Sequence, residues 1–254
     1  MLEQIIQTKK EELKYFSMPS HKADHPPRSL WEALLHPHRQ IGLIAEVKKA
    51  SPSKGLLTQT FAPVAAAVAY EKAGADAVSV LTDRTYFQGS PAFLEAIKQT
   101  VELPVLRKDF LIDRRQIEES RRIGADAILL IAALLSPATL YDFYREAGEL
   151  GLECLVEVHN RAELQRILDV FQPDIIGVNN RDLRTFQTSI ETTLDLFGDL
   201  PKDSVIVSES GIKNKADIDK VTTAGVNGVL VGEALMISES PETGIFRLFG
   251  DDQT

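Results

Sequence analysis

From residue 42 onward, short runs of β-branched and aliphatic residues alternate with longer stretches in which apolar positions recur every three or four residues. The short runs, "LIAEVKK", "DAVSVL", "PVLRKDF", "DAILLI", "ECLVEVH", "DIIGVN", "VIVSESG" and "NGVLVG", read as strands buried on both faces, since they stay apolar instead of alternating. The stretches between them, such as "FAPVAAAVAYEKAG", "SPAFLEAIKQT", "DRRQIEESRRIG" and "NKADIDKVTTAG", have the helical period. Several open with Ser, Asp or Asn and close with Gly, as helix caps require. Four helix–turn–strand joints carry the same kind of mark, Asp76, Asp126, Asp174 and Asn227, about 50 residues apart, which is the length of two strand–helix units. Eight such units predict an α/β fold, a (β/α)8 TIM barrel, with a doubly wound open sheet as the alternative. Residues 1–40 fall outside the alternation and read as a helical N-terminal extension, "LEQIIQTKKEELKYF" and "SLWEALLHP", joined by the Pro-rich loop "SMPSHKADHPPR". Leu30, Trp31, Leu34 and Leu35 share a face of the second helix, suited to packing on the barrel. The whole of 1–254 reads as a single barrel domain.

Composition narrows the function. A net charge of −9 and a pI near 5.1 argue against nucleic acid as a partner, because polyanion binders present a basic face. Charge is mixed into every turn of the first sixteen residues, and no apolar run approaches the roughly 18 residues that a span requires, so no membrane association and a cytoplasmic location are expected. The pattern is compatible with a monomer. Cys154, the one cysteine, lies within a strand run and reads as a packed thiol. His36 and His38, spaced by two, have no Cys or acidic partner that would complete a metal site and read as surface imidazoles. His159 follows the fifth strand and is accounted for by its place at the start of a helix, with an approach to the pocket rim as the alternative. With no HExxH, Cys/His cluster or GxGxxG, neither a metal nor a cofactor is expected.

Charges inside the strand runs call for another explanation. Glu46 and Lys48 close the first strand, Lys108 the third, Glu157 the fifth, Asn179 the sixth and Glu209 the seventh. Barrels of this kind build their chemistry at the C-terminal ends of the strands. Ile44, Glu46 and Lys48 share one parity and so face one side. Any one charge could simply meet solvent, but five from four strands point to a common site. The turns "SESGI" and "VGEALM" place Gly211 and Gly232 just past the last two strands, where glycines and a helix N-terminus suit a phosphate. A phosphorylated small molecule is the substrate class that follows.

Taken in order, "IAEVKKASPSKG", "LRKDF", "LVEVH", "GVNNRDL", "SESGI" and "LVGEALM" resemble the indole-3-glycerol-phosphate synthase family over essentially the whole chain. The resemblance implies conversion of 1-(2-carboxyphenylamino)-1-deoxyribulose 5-phosphate to indole-3-glycerol phosphate, carbon dioxide and water, without a cofactor. It implies Lys108 as the general acid of ring closure and Glu157 as the acid that helps a hydroxyl leave as water. Lys48 is implied as a substrate contact that assists catalysis, Glu46 as a group that orients or deprotonates, and Asn179 and Glu209 as holders of substrate and catalytic side chains. Phosphate is expected at Ser210, Gly211, Gly232 and Glu233; some relatives have Ser at the last position, so its backbone N–H is the expected contact. Ser51, Phe87, Phe110, Arg181 and Leu183 are expected to line the substrate pocket, with plain packing the alternative for Phe110 and Leu183. "ASPSKG" supplies a polar loop, with Lys54 and Gly55, beside the site. Two other functions remain open at the level of sequence: a Schiff-base aldolase using Lys108 or Lys48, and a phosphate-binding barrel without catalysis.

Overall fold

The eight apolar runs form parallel strands β1 (Gly42–Val47), β2 (Ala77–Leu81), β3 (Val105–Lys108), β4 (Ala127–Ile131), β5 (Glu153–Val158), β6 (Ile175–Asn179), β7 (Val205–Glu209) and β8 (Gly228–Val231). Each pairs with its sequence neighbours, and β1 pairs with β8 from Gly42↔Gly228 to Ala45↔Val231. The sheet is therefore a closed barrel, which excludes the open doubly wound alternative. The computed structural model describes residues 2–52, 54–58, 61–182, 185 and 187–250. Among the described residues, no helix is long and apolar enough to cross a membrane.

Two helices, α1 (Leu2–Lys14) and α2 (Leu30–Leu35), precede β1, and helices then follow the strands: α3 (Pro63–Lys72), α4 (Pro91–Lys98), α5 (Arg114–Arg122), α6 (Pro137–Glu149), α7 (Arg161–Leu168), α8 (Glu191–Leu196), α9 (Lys215–Ala224), α10 (Glu233–Met236) and α11 (Pro241–Phe249). Ser90, Asp113, Ser136, Asn160, Asn214 and Ser240 each cap a helix by accepting an N–H of its first turn. A two-stranded hairpin, Ala50–Ser51 with Gly55–Leu56, occupies the loop after β1.

The outer core lies between strands and helices, whereas Ile44, Leu106, Leu155, Val207, Leu129 and Leu230 belong to a second cluster that fills the barrel. Ile44, Leu106, Leu155 and Val207 come from the odd strands. Two residues further along the same four strands stand Glu46, Lys108, Glu157 and Glu209. Since parity is conserved over two residues, a layer of four apolar side chains supports a layer of four charged ones.

Three of the four recurrent marks do one job at the opposite end. Asp76 Oδ2 accepts Leu43 N at 2.8 Å, Asp126 Oδ2 accepts Val105 N at 2.8 Å, and Asn227 Oδ1 accepts Ile206 N at 2.8 Å. Each supplies an acceptor for an N–H near the start of the preceding strand. Asp174 instead accepts the Tyr144 hydroxyl at 2.6 Å. Below these bonds, α2 closes the floor: Leu30 and Leu34 are buried, and a Cβ on Gly42 or Gly228 would press on Leu34. Burying two leucines is worth about 1.5–3 kcal/mol each. Asp126 also accepts Arg28 N and the Lys98 ammonium, both within 2.8 Å, fixing the chain that leads into α2.

Candidate active site

At the C-terminal mouth the charged layer forms the base of a cavity of about 810 Å³. Lys108 Nζ donates to Glu209 Oε2 at 2.6 Å and Glu157 Oε2 at 3.1 Å, and Lys48 Nζ lies 2.6 Å from Glu46 Oε1. Glu209 reaches its position because β6 offers Gly177 opposite; a Cβ there would overlap Glu209 Oε1. That oxygen is buried and has no hydrogen-bond partner among the described residues.

Burial alone would strip charge from these groups, yet the cluster keeps most of it. Burial lowers the pKa of Lys108, but Glu209, Glu157 and Glu46 outweigh it and hold the amine firmly protonated. Burial likewise pushes the Glu157 carboxyl up, and Lys108 and His159 together overcome this and hold it well below the usual carboxylate range. Glu209 has only Lys108 to oppose its burial and the repulsion of Glu157, so its pKa rises to about 7. One ammonium shared by two buried carboxylates leaves Glu209 as the one that takes up a proton first.

The loop after β7 passes through two consecutive left-handed residues, Ser210 (φ 63°) and Gly211 (φ 83°). Gly tolerates that geometry and Ser resists it. Asn180 stabilises the turn, donating through Nδ2 to Ser210 O and Ser208 Oγ, both at 2.9 Å. After β8, Gly232 precedes α10 and lies so close to Glu46 that a Cβ would collide with its carboxylate. The Glu233 carboxylate lies 3.7 Å from Lys54 Nζ, at the mouth. These turns place backbone at the position suited to an anion.

Glu46, Lys48, Lys108, Glu157, Asn179 and Glu209 all line this one cavity, as do Ser51, Phe87, Phe110, Arg181, Ser210, Gly211, Gly232 and Glu233. Leu183 lies outside the described residues. Phe110 packs against Phe87 with ring centroids 6.1 Å apart. Among the described residues, no group of three or more His, Cys, Asp or Glu side chains could hold a metal.

Sequence reasoning missed one wall. Leu2 and Ile5 of α1 line the cavity, and the Lys9 ammonium, one turn further on, is buried between Asp83 Oδ2 at 2.7 Å and Asp109 Oδ1 at 2.9 Å. Lys9 occupies the same stripe as Leu2 and Ile5, and a charge in an apolar stripe was the available signal. His159 was read too simply as well: its ring is buried and touches Glu157. His36 is exposed as expected, while the largely exposed ring of His38 meets Asp76 through Nδ1 at 2.7 Å.

The model of the indole-3-glycerol phosphate synthase family matches residues 2–248. The chain belongs to the indole-3-glycerol phosphate synthase family. It is 60% identical over 249 residues to the indole-3-glycerol phosphate synthase of Geobacillus sp. (strain WCH70), covering 98% of this chain and 96% of that one. Against the indole-3-glycerol phosphate synthase of Geobacillus kaustophilus (strain HTA426) identity is 55% over 252 residues, with 99% and 98% covered. Among solved structures, a 3-hexulose-6-phosphate synthase superposes with a TM-score of 0.66 at 13% identity, covering 83% of this chain and 99% of that chain. A mutant tryptophan synthase alpha-subunit from Pyrococcus furiosus gives 0.64 at 14% identity, with 82% and 98% covered. These two show the barrel alone; the family rests on the sequence matches.

Proposed function

We propose that this chain is a tryptophan-pathway lyase that closes the indole ring, converting 1-(2-carboxyphenylamino)-1-deoxyribulose 5-phosphate to indole-3-glycerol phosphate, carbon dioxide and water. The observation that carries the chemistry is Lys108, a part-buried ammonium held between Glu157 and Glu209 on the base of the cavity. Ring closure turns a ketone oxygen into an alkoxide, and an ammonium fixed within the cavity can protonate it. Loss of carbon dioxide leaves its electron pair on the ring. Dehydration then takes a proton from carbon and gives one to the departing hydroxyl. Glu157, a carboxylate at rest, must be loaded with a proton before it serves as that acid. Lys48, paired with Glu46, meets the substrate carboxylate; Asn179 and Glu209 hold substrate and Lys108. The turns at Ser210–Gly211 and Gly232–Glu233 take the phosphate, with the Glu233 carboxylate turned to Lys54. Ser51, Phe87, Phe110 and Arg181 line the aromatic and sugar portions.

A Schiff-base nucleophile must be a neutral amine, and the two carboxylates on Lys108 disfavour that form. Borohydride reduction in the presence of substrate is therefore expected to leave no adduct on Lys108 or Lys48. A charged sugar phosphate does not cross a bilayer unaided, which supports a cytoplasmic enzyme. The deciding experiment is turnover of the carboxyphenylamino substrate followed by indole fluorescence. Folded protein that releases no indole product would overturn the proposal.

A further inference from the structure

Glu157 is held at both oxygens, and only one of the two holders faces the cavity. Oε2 takes the Lys108 ammonium, whereas Oε1 lies 3.2 Å from His159 Nε2, a buried ring nitrogen behind the cavity wall. His159 is the first residue past β5, two beyond Glu157.

The ring is anchored from α7. Glu163 Oε2 accepts His159 N at 2.9 Å and lies 3.1 Å from His159 Nδ1, while Glu163 Oε1 accepts Asn160 Nδ2 at 2.9 Å. Asn160 caps α7 by accepting Glu163 N at 3.0 Å. The helix start and the ring are thus one unit. Two carboxylates, one within about 3 Å of each ring nitrogen, favour the doubly protonated, cationic ring. Burial lowers the pKa of the ring, but Glu157 and Glu163 outweigh this and raise it to about 10. The Nε2–Oε1 contact lies off the hydrogen-bond line, so it acts as an ion pair.

We propose that His159, anchored by Glu163, is a positioning residue that fixes the Glu157 carboxylate from behind the cavity while the Lys108 proton is being spent. This inference rests on the indole-forming reading. When Lys108 gives its proton to substrate, Glu157 loses one of its two cations, and the imidazolium keeps it oriented. The other charged groups near the pair are Lys108 on β3, Glu209 on β7, Glu46 and Lys48 on β1, and Glu163 on α7. Of these, Lys108 is the cation consumed by the reaction, so the second cation at Glu157 has a role that Lys108 cannot fill.

The test compares wild type with His159→Asn and Glu163→Gln in steady-state kinetics across pH, together with ¹⁵N-histidine NMR. In His159→Asn, kcat is expected to fall about ten-fold with KM changed little, less than the roughly 10²-fold or more that an acid–base group itself contributes. The acidic limb of kcat, which belongs to the coupled Glu157–Glu209 pair, is expected to move up by as much as about one pH unit, since one of the pair's two cations is gone. Glu163→Gln retains acceptor and donor at the helix cap and is expected to move the limb the same way by less. In wild type at pH 8, one of the five imidazoles should carry both protons and be absent from His159→Asn. A folded His159→Asn enzyme with the acidic limb unmoved would overturn the proposal whatever its kcat, because a merely structural histidine would leave the limb in place. If His159→Asn fails to fold, Glu163→Gln and the wild-type spectrum decide; no doubly protonated ring at pH 8 overturns the clamp. Lack of turnover in wild type would count against the indole-forming reading itself, and the spectrum would still decide the clamp.

Discussion

Lys108 combines three properties that pull against one another: it is largely withdrawn from solvent, it is charged, and its charge is shared between two acids. Replacing it with Met keeps much of the stem and removes the proton. We expect kcat to fall at least 10²–10⁴-fold, about the range general acid catalysis supplies, with a far smaller change in KM. Single-turnover measurement on the folded variant checks this, and near-normal kcat would move the acid elsewhere, Lys48 being next in line. Gly177 offers a subtler test. A methyl group there would occupy the space of Glu209 Oε1, so Gly177→Ala should push that carboxylate off Lys108. We expect kcat to drop by about ten-fold or more with the fold retained, readable from kinetics and circular dichroism together. At this scale the charges were legible because charge inside a doubly buried strand is expensive and therefore conspicuous. Gly177 and His159 were not. A glycine in a strand does not reveal which side chain needs its space, and the acid three residues into α7 looks like an ordinary cap until the ring beside it is seen.

Helix α1 shows why an element can be predicted correctly and still be left without a place in the fold. Its period marks which face is buried but not what covers that face. Nothing in the spacing of Leu2, Ile5 and Lys9 says that they meet the mouth of the cavity while α2 meets its floor. The buried contact is an ion cluster: Lys9 lies between Asp83 and Asp109, and burial, which would raise the Asp109 carboxyl, is overcome by Lys9 and Arg107, which take it to about 2. Lys9→Met would leave two carboxylates buried without that cation. Breaking such a pair typically costs about 3–5 kcal/mol. We expect a clear loss in denaturation midpoint, accompanied by a higher KM as Leu2 and Ile5 lose their anchor. An unchanged midpoint would show that α1 is held chiefly by its apolar face. Thr8 Oγ1, 2.8 Å from the Tyr86 hydroxyl, is a further tie between α1 and the loop after β2.

Across the whole molecule, the strand–helix rhythm made the eight-unit barrel readable, because its runs are apolar on both faces and each joint repeats at nearly constant length. Closure was less accessible. The pairing of β1 with β8 joins residues far apart in sequence, and local pattern carries no information about it. The two ends of the barrel are also separable in their tasks. Leu34→Ala should leave a hole in the floor and cost about 2–5 kcal/mol, while kcat and KM, set at the mouth, stay close to wild type. Thermal unfolding and steady-state kinetics on one preparation test the separation; a large fall in kcat below the unfolding range would refute it. The seat of Leu34 has a temporal side as well. It is built from Gly42 and Gly228, so α2 leaves the ribosome long before one half of its docking surface has been synthesised. With translation at about 5–20 residues per second, its apolar face waits at least about ten seconds for a partner. During that interval the nascent chain offers an exposed leucine pair to any chaperone at the tunnel exit, and the floor plug becomes one of the last parts of the barrel to lock.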